Sequence, residues 1–386
     1  MRFPEFKDEW EKFTLNDIAD FSKGQGISKD QRCNIGIPCI LYGELYTTYS
    51  SEIIDKVVSK TDIDATKLVK SKANDIIIPA SGETAIDIAT ARCVKHDNVL
   101  LGGDLNIIRM KDKKNLGDFF SYELNGIRRF DIAQIAQGVS VVHLHASDLK
   151  VLNVRVPSFQ EQRKIADFLS LLDRRIEIQR TAIEKLKSLM AGITNRIFSN
   201  NHNAKYRVRD FLEEVSEKTT LNNQHEVLSS TTKGLFSQKE YFNQEVASED
   251  NTGYKILRKG QIVLSPQNLY MGNINYNDNF PIGIVSPSYK TFEINSSFNK
   301  TYIAYMMKTH RALYMYMSVS EQGASVVRRN LNMDDFLDLQ FEIHRTALQD
   351  KIAYQLQSIA NKISLEEKIL QGYINQKSGF LSKMFI

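Results

Sequence analysis

The sequence predicts a mixed α/β fold in which two pseudo-twofold-related globular domains are separated by an antiparallel coiled coil of two long helices. Three observations support this prediction. The chain repeats itself at an offset close to half its length, each copy contains short alternating segments typical of strands, and each copy ends in a heptad pattern. The 386 residues exceed the usual size of one domain, and a composition with 42% hydrophobic and 25% charged residues is typical of folded globular proteins.

The repeat is clearest in two short phrases, QGVSVVHL at 137–144 and QGASVVRR at 322–329. Further along, RKIA at 163–166 matches DKIA at 350–353, which is an offset of 187 residues. An internal repeat of this length indicates two copies of one structural plan rather than one larger domain. We therefore expect both halves to contain the same elements in the same order.

The elements of each copy follow in order along the chain. Each copy opens with a loosely matching segment, FTLNDIADF or YRVRDFLEE. The segments SKANDIIIPAS and LRKGQIVLSPQ predict a strand entered through a turn, and LGDFFSYELNGIRRF and NKTYIAYMMKTHRALYMYM predict helices. A short strand before each long helix is predicted from apolar residues that alternate with polar ones: Leu152, Val154 and Val156, and Leu339, Phe341 and Ile343.

Each copy ends in a helix whose apolar residues are spaced alternately four and three positions apart, the pattern of a coiled-coil seam. The seam positions are Ile165, Leu169, Leu172, Ile176, Gln179, Ile183, Leu186, Met190, Ile193 and Ile197, then Ile352, Leu356, Ile359, Ile363, Glu366, Leu370, Tyr373, Lys377, Phe380 and Met384. Gln179 and Glu366 occupy the same register in the two helices. A polar seam residue can fix the register of a coiled coil, or it can be a tolerated exception in a long helix.

These patterns predict four segments: a globular domain at 1–158, a long helix at 159–200, a second globular domain at 201–343 and a second long helix at 344–386. The heptads alone do not decide whether the two helices pack parallel or antiparallel. A chain built of two equal halves favours a pseudo-twofold relation, which makes the helices antiparallel.

Charge and cysteine content restrict the class of protein only loosely. Lys and Arg number 50 and Asp and Glu 46, so a net charge of +4 permits a polyanionic partner without requiring one. Three cysteines without metal-binding spacing favour a reducing compartment. The first residues do not resemble a secretory signal and no apolar run is long enough to span a membrane. We expect a cytoplasmic protein without membrane contact.

Catalytic patterns are absent from the sequence. It contains neither a G-x-x-x-x-G-K-[ST] phosphate loop nor an H-E-x-x-H metal motif, and Ser140 lacks a nucleophile elbow. His143 and His145 alternate, but no carboxylate or cysteine cluster accompanies them. We therefore expect no catalytic residue, no metal site and no cofactor in this chain.

Several segments resemble the DNA-specificity (S) subunits of type I restriction–modification systems. They are PSFQEQRKIADFLSLLD at 157–173, GIPCILYGEL at 36–45, the two glycine phrases and the duplicated layout as a whole. The second copy departs from the first of these motifs, because His344, Leu348 and Ala360 stand where the first copy has Pro157, Glu161 and Asp173.

The resemblance implies that each globular half is a target-recognition domain that reads one part of an asymmetric, bipartite site in double-stranded DNA. It further implies that the coiled coil sets the spacing and docks modification (methyltransferase) subunits, and that restriction (translocase–nuclease) subunits complete the complex. S-adenosylmethionine, ATP and Mg would then be bound by partner subunits. The assembled complex would carry adenine methyltransferase and ATP-dependent endonuclease activity.

Candidate DNA-binding residues are polar or basic residues of both halves, and several of them lie in or next to the two glycine phrases. Lys and Arg contact phosphates, Arg suits guanine, and Asn or Gln suits adenine. The candidates are Thr84, Arg128, Arg129, Gln134, Gln137, Ser140 and His143 in the first half, and Gln267, Asn268, Gln322, Ser325, Arg328, Arg329 and Asn330 in the second. The alternative function is a non-enzymatic coiled-coil scaffold whose globular halves bind proteins. Steep salt dependence of DNA binding would distinguish the two.

Overall fold

The computed structural model describes residues 1–138, 140–199, 204–241, 250–322 and 329–385. The chain forms two compact units, of which unit 1 comprises 1–181 and 367–386 and unit 2 comprises 182–366. Each unit therefore contains one globular part and a portion of both long helices.

The first globular part consists of short strands and short helices. Its strands are β1 (Glu11–Thr14), β2 (Ala19–Lys23), β3 (Arg32–Cys33), β4 (Ile37–Ile40), β5 (Ile53–Ile54), β6 (Ser59–Thr61), β7 (Asp75–Pro79), β8 (Ser81–Gly82), β9 (Arg92–Val94), β10 (Leu100–Leu101), β11 (Leu105–Met110), β12 (Val142–His143) and β13 (Asn153–Val156). Its helices are α1 (Leu15–Ile18), α2 (Glu44–Thr47), α3 (Ala85–Ile88), α4 (Gly117–Asn125), α5 (Arg129–Ile135) and α6 (Ala146–Lys150), with a 3-10 turn at Lys29–Gln31.

The second globular part is built in the same way. Its strands are β14 (Ala204–Arg207), β15 (Leu212–Val215), β16 (Leu228–Thr231), β17 (Gly234–Ser237), β18 (Lys255–Arg258), β19 (Gln261–Leu264), β20 (Ile274–Tyr276), β21 (Ile282–Val285), β22 (Lys290–Ile294), β23 (Ser320–Gln322), β24 (Arg329–Leu331) and β25 (Gln340–Ile343). Its helices are α8 (Val208–Phe211), α9 (Gln238–Tyr241), α10 (Lys300–Met306), α11 (His310–Ser318) and α12 (Met333–Asp338), with a 3-10 turn at Leu269–Met271.

The main sheets of the two units share a run of equivalent antiparallel strands, β2-β11-β7 in unit 1 and β15-β22-β19 in unit 2. Unit 1 has a five-stranded sheet in the order β2-β11-β7-β9-β5, and unit 2 has a four-stranded sheet in the order β15-β22-β19-β20. The pair β1–β13 in unit 1 corresponds to β14–β25 in unit 2, and both pairs are antiparallel. The predicted repeat is therefore present as structure. Unit 1 differs by a further sheet of four strands, β10-β4-β6-β3.

The central strand of each sheet is entered through a left-handed residue. Asn74 (φ 80°) precedes β7 and Gly260 (φ 91°) precedes β19, at equivalent positions of the repeat. Glycine adopts this conformation without strain, and asparagine tolerates it better than most residues. Every residue of β7 and β19 is buried. The strand and the turn predicted for SKANDIIIPAS and LRKGQIVLSPQ are confirmed.

Two long helices follow the globular parts. Helix α7 (Phe159–Phe198) has 40 residues and α13 (Thr346–Lys383) has 38. All twenty predicted seam positions are buried or half-buried, as expected for a helix-packing seam.

The two helices run antiparallel where they pack in unit 1. The rings of Phe168 and Phe380 lie 5.0 Å apart between centroids, and the Arg175 guanidinium lies 4.4 Å from the centroid of the Tyr373 ring. Partner positions on α13 fall as those on α7 rise, which is the signature of antiparallel packing. The predicted fold class, a mixed α/β chain with two globular parts and an antiparallel pair of long helices, is confirmed.

The helices also belong to the hydrophobic cores. In unit 1, Ile165 and Leu169 of α7 and the C-terminal residues Met384 and Phe385 join the core that includes Phe119. Unit 2 uses residues from both helices in the same way: Phe198, Ile352 and Leu356. Burying a large apolar side chain contributes about 1.5–3 kcal/mol, so each globular part is stabilised by the helices it packs against.

The described residues contain no helix that is long and apolar enough to cross a membrane. Within the same residues, no three His, Cys, Asp or Glu side chains are grouped closely enough to hold a metal ion. Cys33, Cys39 and Cys93 carry free thiols.

Candidate nucleic-acid interface

The first glycine phrase forms a tight loop. Gln137 and His143 exchange backbone hydrogen bonds of 2.9 and 2.7 Å across it, and β12 then pairs with β8. Gly138 adopts φ 128°, and a Cβ atom there would lie 2.1 Å from the carbonyl oxygen of Val141. The loop therefore requires glycine. The side chains of Gln137, Ser140 and His143 are exposed on it.

Helix α3 brings two more candidates to this loop. Thr84 caps α3, because its hydroxyl accepts from the Asp87 N–H at 3.1 Å and donates to the Asp87 carboxylate at 2.6 Å. Helix α3 contacts both β12 and α5, and α5 carries the exposed side chain of Gln134. The structure thus places Thr84 and Gln134 on the elements around the loop. The hydroxyl of Thr84 already has a structural role as the helix cap.

The rings of His143 and His145 lie close to parallel, with 6.5 Å between centroids and 12° between planes. Both side chains are exposed. Imidazoles presented in this way offer hydrogen-bond donors and acceptors to a partner at the surface.

Arg128 and Arg129 are held by contacts within unit 1. The Arg128 guanidinium lies 3.2 Å from the Asp131 carboxylate and 3.8 Å from the buried Glu123 carboxylate. Arg129 donates to the carbonyl of Ile86 at 3.2 Å. Burial raises the pKa of Glu123 to about 7, opposed by the backbone N–H of Arg155 and the charge of Arg128. Arg128 thus ties the end of α4 to α5, and Arg129 ties α5 to α3. The predicted role of these two arginines in DNA binding stays a prediction.

Unit 2 brings the second set of candidates together around Arg329. The Arg329 backbone N–H donates to the Gln267 carbonyl at 3.3 Å, and its Nη1 donates to the Ser320 carbonyl at 3.3 Å. The guanidinium also lies over the Tyr270 ring, 5.1 Å from the centroid. Arg329 pairs with Gln322 in the hairpin β23–β24. One basic side chain is thus fixed beside a loop rich in amides.

The remaining candidates of unit 2 surround this arginine. Gln267 and Asn330 are exposed, and Asn268 is half-buried at the start of the 3-10 turn. Gln322 is described only in its backbone, and Ser325 and Arg328 lie outside the described residues. In unit 2 the segment after β19 therefore lies beside β24, which begins at the last residue of the second glycine phrase, just as the segment after β7 lies beside β12 in unit 1.

The family of type I restriction modification DNA specificity domains matches residues 7–188. This stretch contains all strands and short helices of the first globular part and most of α7. Residues 7–188 belong to that family. The family predicted from the sequence is confirmed for this stretch, and the strand order β2-β11-β7 recurs in unit 2 as β15-β22-β19.

Solved structures with the same fold cover both halves of the chain. The S subunit of a type I restriction–modification system from M. genitalium matches with a TM-score of 0.61 at 18% identity, over 100% of this chain and 97% of that one. A chain from a study of complex assembly and conformational transition of the type I R-M system matches with a TM-score of 0.58 at 12% identity, over 98% and 97% of the two chains. At these identities the likeness shows the fold.

Sequence reasoning missed several exposed apolar side chains near the candidate loops. Ile86 on α3 is 40% exposed and Phe130 on α5 is 68% exposed. Unit 2 also exposes apolar side chains: Met271, next to Tyr270, is 50% exposed, and Tyr314 on α11 is 77% exposed. The signal was available in the sequence, because Phe130 and Tyr314 lie outside the buried stripe of their helices.

The two polar residues of the coiled-coil seam are half-buried. The Glu366 carboxylate forms an ion pair with Lys362 of the same helix at 2.6 Å. The proposed role of Gln179 and Glu366 in setting the register stays a prediction.

Proposed function

We propose that this chain is the DNA-specificity subunit of a type I restriction–modification complex and that each globular part reads one half of a bipartite site. The observation that carries the proposal recurs in both units. The segment after β7 lies beside the end of the first glycine phrase, and the segment after β19 lies beside Arg329, the last residue of the second phrase. A repeated surface with different side chains suits a site whose two halves differ in sequence.

The chemistry of the exposed side chains supports recognition of base edges. Gln137 and Gln267 present amides, which pair with adenine through its N6 and N7 atoms. Arg329 presents a guanidinium, which pairs with guanine through O6 and N7 or with a phosphate. Tyr270 and the Ser320 carbonyl hold that guanidinium in place, which lowers the entropy cost of the contact.

The partners follow from the family rather than from a site on this chain. A solved chain with this fold comes from work on assembly of the type I R-M system, which supports partner subunits for this chain. In the proposed complex, the two long helices dock modification subunits and set the distance between half-sites, and restriction subunits join that assembly. S-adenosylmethionine, ATP and Mg are bound by those partners, and this chain contributes recognition without catalysis in the cytoplasm.

An exchange of one globular part tests the proposal. Residues 201–343 are replaced by the matching segment of a relative with a different specificity, and the methylated motif is determined by sequencing the methylome of cells that carry the complex. We expect one half of the motif to change while the other half and the gap stay the same. The reciprocal exchange of residues 1–158 is the control, with the opposite half changing. A motif altered in both halves by either exchange would contradict independent reading.

A salt titration separates DNA reading from protein scaffolding. A protein that binds phosphates loses affinity steeply as salt rises, with a slope set by the number of phosphates contacted. We expect the assembled complex to show this dependence on a duplex that contains its motif. A complex that binds no duplex at low salt would instead favour a scaffold whose globular parts bind proteins.

A further inference from the structure

A buried cluster of charges joins the two long helices in unit 1. Lys377 of α13 forms ion pairs with Asp173 of α7 and with Glu52 of the globular part. Their side chains are only 11%, 8% and 7% exposed, in that order. Because water is largely excluded, each charge depends on its partners in the cluster.

Hydrogen bonds complete the cluster. The second oxygen of the Asp173 carboxylate accepts from the Tyr122 hydroxyl at 2.7 Å and from the Ser51 hydroxyl at 2.9 Å. The Lys377 ammonium also lies 5.8 Å from the centroid of the Tyr122 ring. Burial raises the pKa of the Glu52 carboxyl, which Lys377 opposes. The buried charges of Lys377, Asp173 and Glu52 therefore have partners within the cluster.

The second copy of the repeat carries no such pair at the equivalent positions. At the offset of 187, Asp173 corresponds to Ala360 and Lys377 corresponds to Met190. Each long helix therefore has one charged and one apolar member of this set: α7 has Asp173 and Met190, and α13 has Ala360 and Lys377. The two helices share the same heptad seam but differ in this feature.

Helices with the same seam can pair in more than one way, so the different positions of the charged residues in α7 and α13 can decide which pairing forms. The apolar seams alone would also allow α7 to pair antiparallel with α7 of a second copy of this chain, and α13 with α13 of that copy. In the same register, Asp173 would then lie opposite Met190 of the other copy, and Lys377 opposite Ala360. Both arrangements would bury a charge without its partner.

We propose that Asp173 and Lys377 select the pairing of α7 with α13 and exclude pairing of like helices between two copies of this chain. Pairing of like helices is disfavoured because it would bury Asp173 and Lys377 without a partner of opposite charge. An unpaired buried charge is far less favourable than the ion pair or than two apolar residues. The contact is thus a determinant of partner choice. It does not depend on the proposed reading of DNA.

Co-expression of two differently tagged full-length copies tests this proposal. The variant Asp173→Ala with Lys377→Met gives unit 1 the residues that the second copy has. We expect the tagged copies of this variant to co-purify at least tenfold more than those of the wild type, with light scattering giving the mass of a dimer. The matched control is Asp118→Ala with Lys95→Met, which removes a Lys–Asp pair of 2.6 Å outside the long helices. The control should behave as the wild type.

A second variant keeps the proposal testable if the first fails to fold. Met190→Lys with Ala360→Asp adds the missing charges to the second copy and leaves the existing cluster intact. Pairing of like helices then places Asp173 opposite the introduced lysine and Lys377 opposite the introduced aspartate, so no buried charge lacks a partner. We expect co-purification to rise for this variant as well. Folded variants whose tagged copies co-purify no more than those of the wild type would overturn the proposal.

Discussion

At the scale of single residues, contacts within the fold divide the candidate side chains into two groups. Gln137 and Gln267 lie outside the strands and helices and His143 lies in β12, and all three side chains are exposed. Arg128, by contrast, is engaged with Glu123 and Asp131. The sequence indicated the residue types suited to DNA, but it did not show which face of α5 is buried. A charged side chain next to a motif can bind a partner at the surface or stabilise the fold through an ion pair, and only the packing in the structure distinguishes the two roles.

Arg329 provides the most direct test of the DNA surface. We expect Arg329→Ala to weaken binding of the assembled complex to its motif. A lost phosphate contact would reduce the salt slope by about one unit, and a lost guanine contact would cost about 1–3 kcal/mol at particular sequences only. Arg329→Lys separates the two, because lysine keeps the charge but not the bidentate geometry. Arg258, which pairs with Glu217 at 2.7 Å in the same unit, is the control. If Arg329→Ala left both the DNA affinity and its salt dependence unchanged, Arg329 would not contact the DNA.

Glu123 predicts a pH dependence of stability. Burial raises its pKa from 4.5 to about 7 in the folded protein, so between these values the folded state binds a proton that the unfolded state does not. The favourable contribution is complete below about pH 4.5 and is lost as the pH rises through about 7. The full difference is about 3 kcal/mol, at roughly 1.4 kcal/mol for each pH unit.

Glu123→Gln should therefore raise the melting temperature at pH 8 more than at pH 5. Glutamine can still accept the 3.0 Å hydrogen bond from the Arg155 backbone N–H, but it carries no charge. The measurement is a pair of thermal melts at the two pH values. Equal shifts at both would mean that Glu123 does not titrate in this range.

At the scale of elements, the helices were the most predictable feature and the small strands the least. The spacing of apolar residues can be recognised from a short stretch of sequence, so it predicts a helix seam directly. Helices α7 and α13 begin close to where their seams predict. The extra sheet of unit 1 contains strands of two to four residues, too short to leave a periodic pattern. The cluster around Lys377 could not be predicted from the sequence either, because Glu52 lies 325 residues away from Lys377 in the chain.

A pair of leucines in α7 tests the seam directly. Leu169 is fully buried in the core of unit 1, and Leu171, two residues along the same helix, is 65% exposed. We expect Leu169→Ala to lower the free energy of unfolding by about 2–5 kcal/mol, through lost burial and the cavity left behind. Leu171→Ala should change it by less than about 0.5 kcal/mol. Denaturant unfolding of both variants is the measurement, and equal losses would contradict the assigned seam.

At the scale of the whole molecule, the internal repeat was the most informative feature of the sequence. It predicted two units with the same element order, and the sheets β2-β11-β7 and β15-β22-β19 confirm it. The bases that each half reads could not be predicted, because base choice depends on how a few side chains are oriented at the groove. Arg329, held by Tyr270 and Ser320, shows why: its partners come from two segments that are about 50 residues apart in the chain.

If the two long helices set the distance between half-sites, lengthening them should lengthen the gap in the recognised motif. One heptad inserted into each helix, at matched positions beside Gln179 and Glu366, preserves both seams because the apolar pattern repeats every seven residues. Seven residues add about 10 Å of helix at about 1.5 Å each. DNA rises about 34 Å in ten base pairs, so the gap should grow by about three base pairs. The two half-site sequences should stay the same, since neither globular part is altered.

The methylated motif of the lengthened complex is the decisive measurement. A heptad inserted into α7 alone is the control. It leaves one heptad of the seam without matching partners on α13, so we expect that variant to lose stability and modification together. A stable complex with both insertions and an unchanged gap would mean that the spacing is set outside the helices, by the globular parts or by the partner subunits. A wider gap with intact half-sites would instead assign recognition to the globular parts and spacing to the helices.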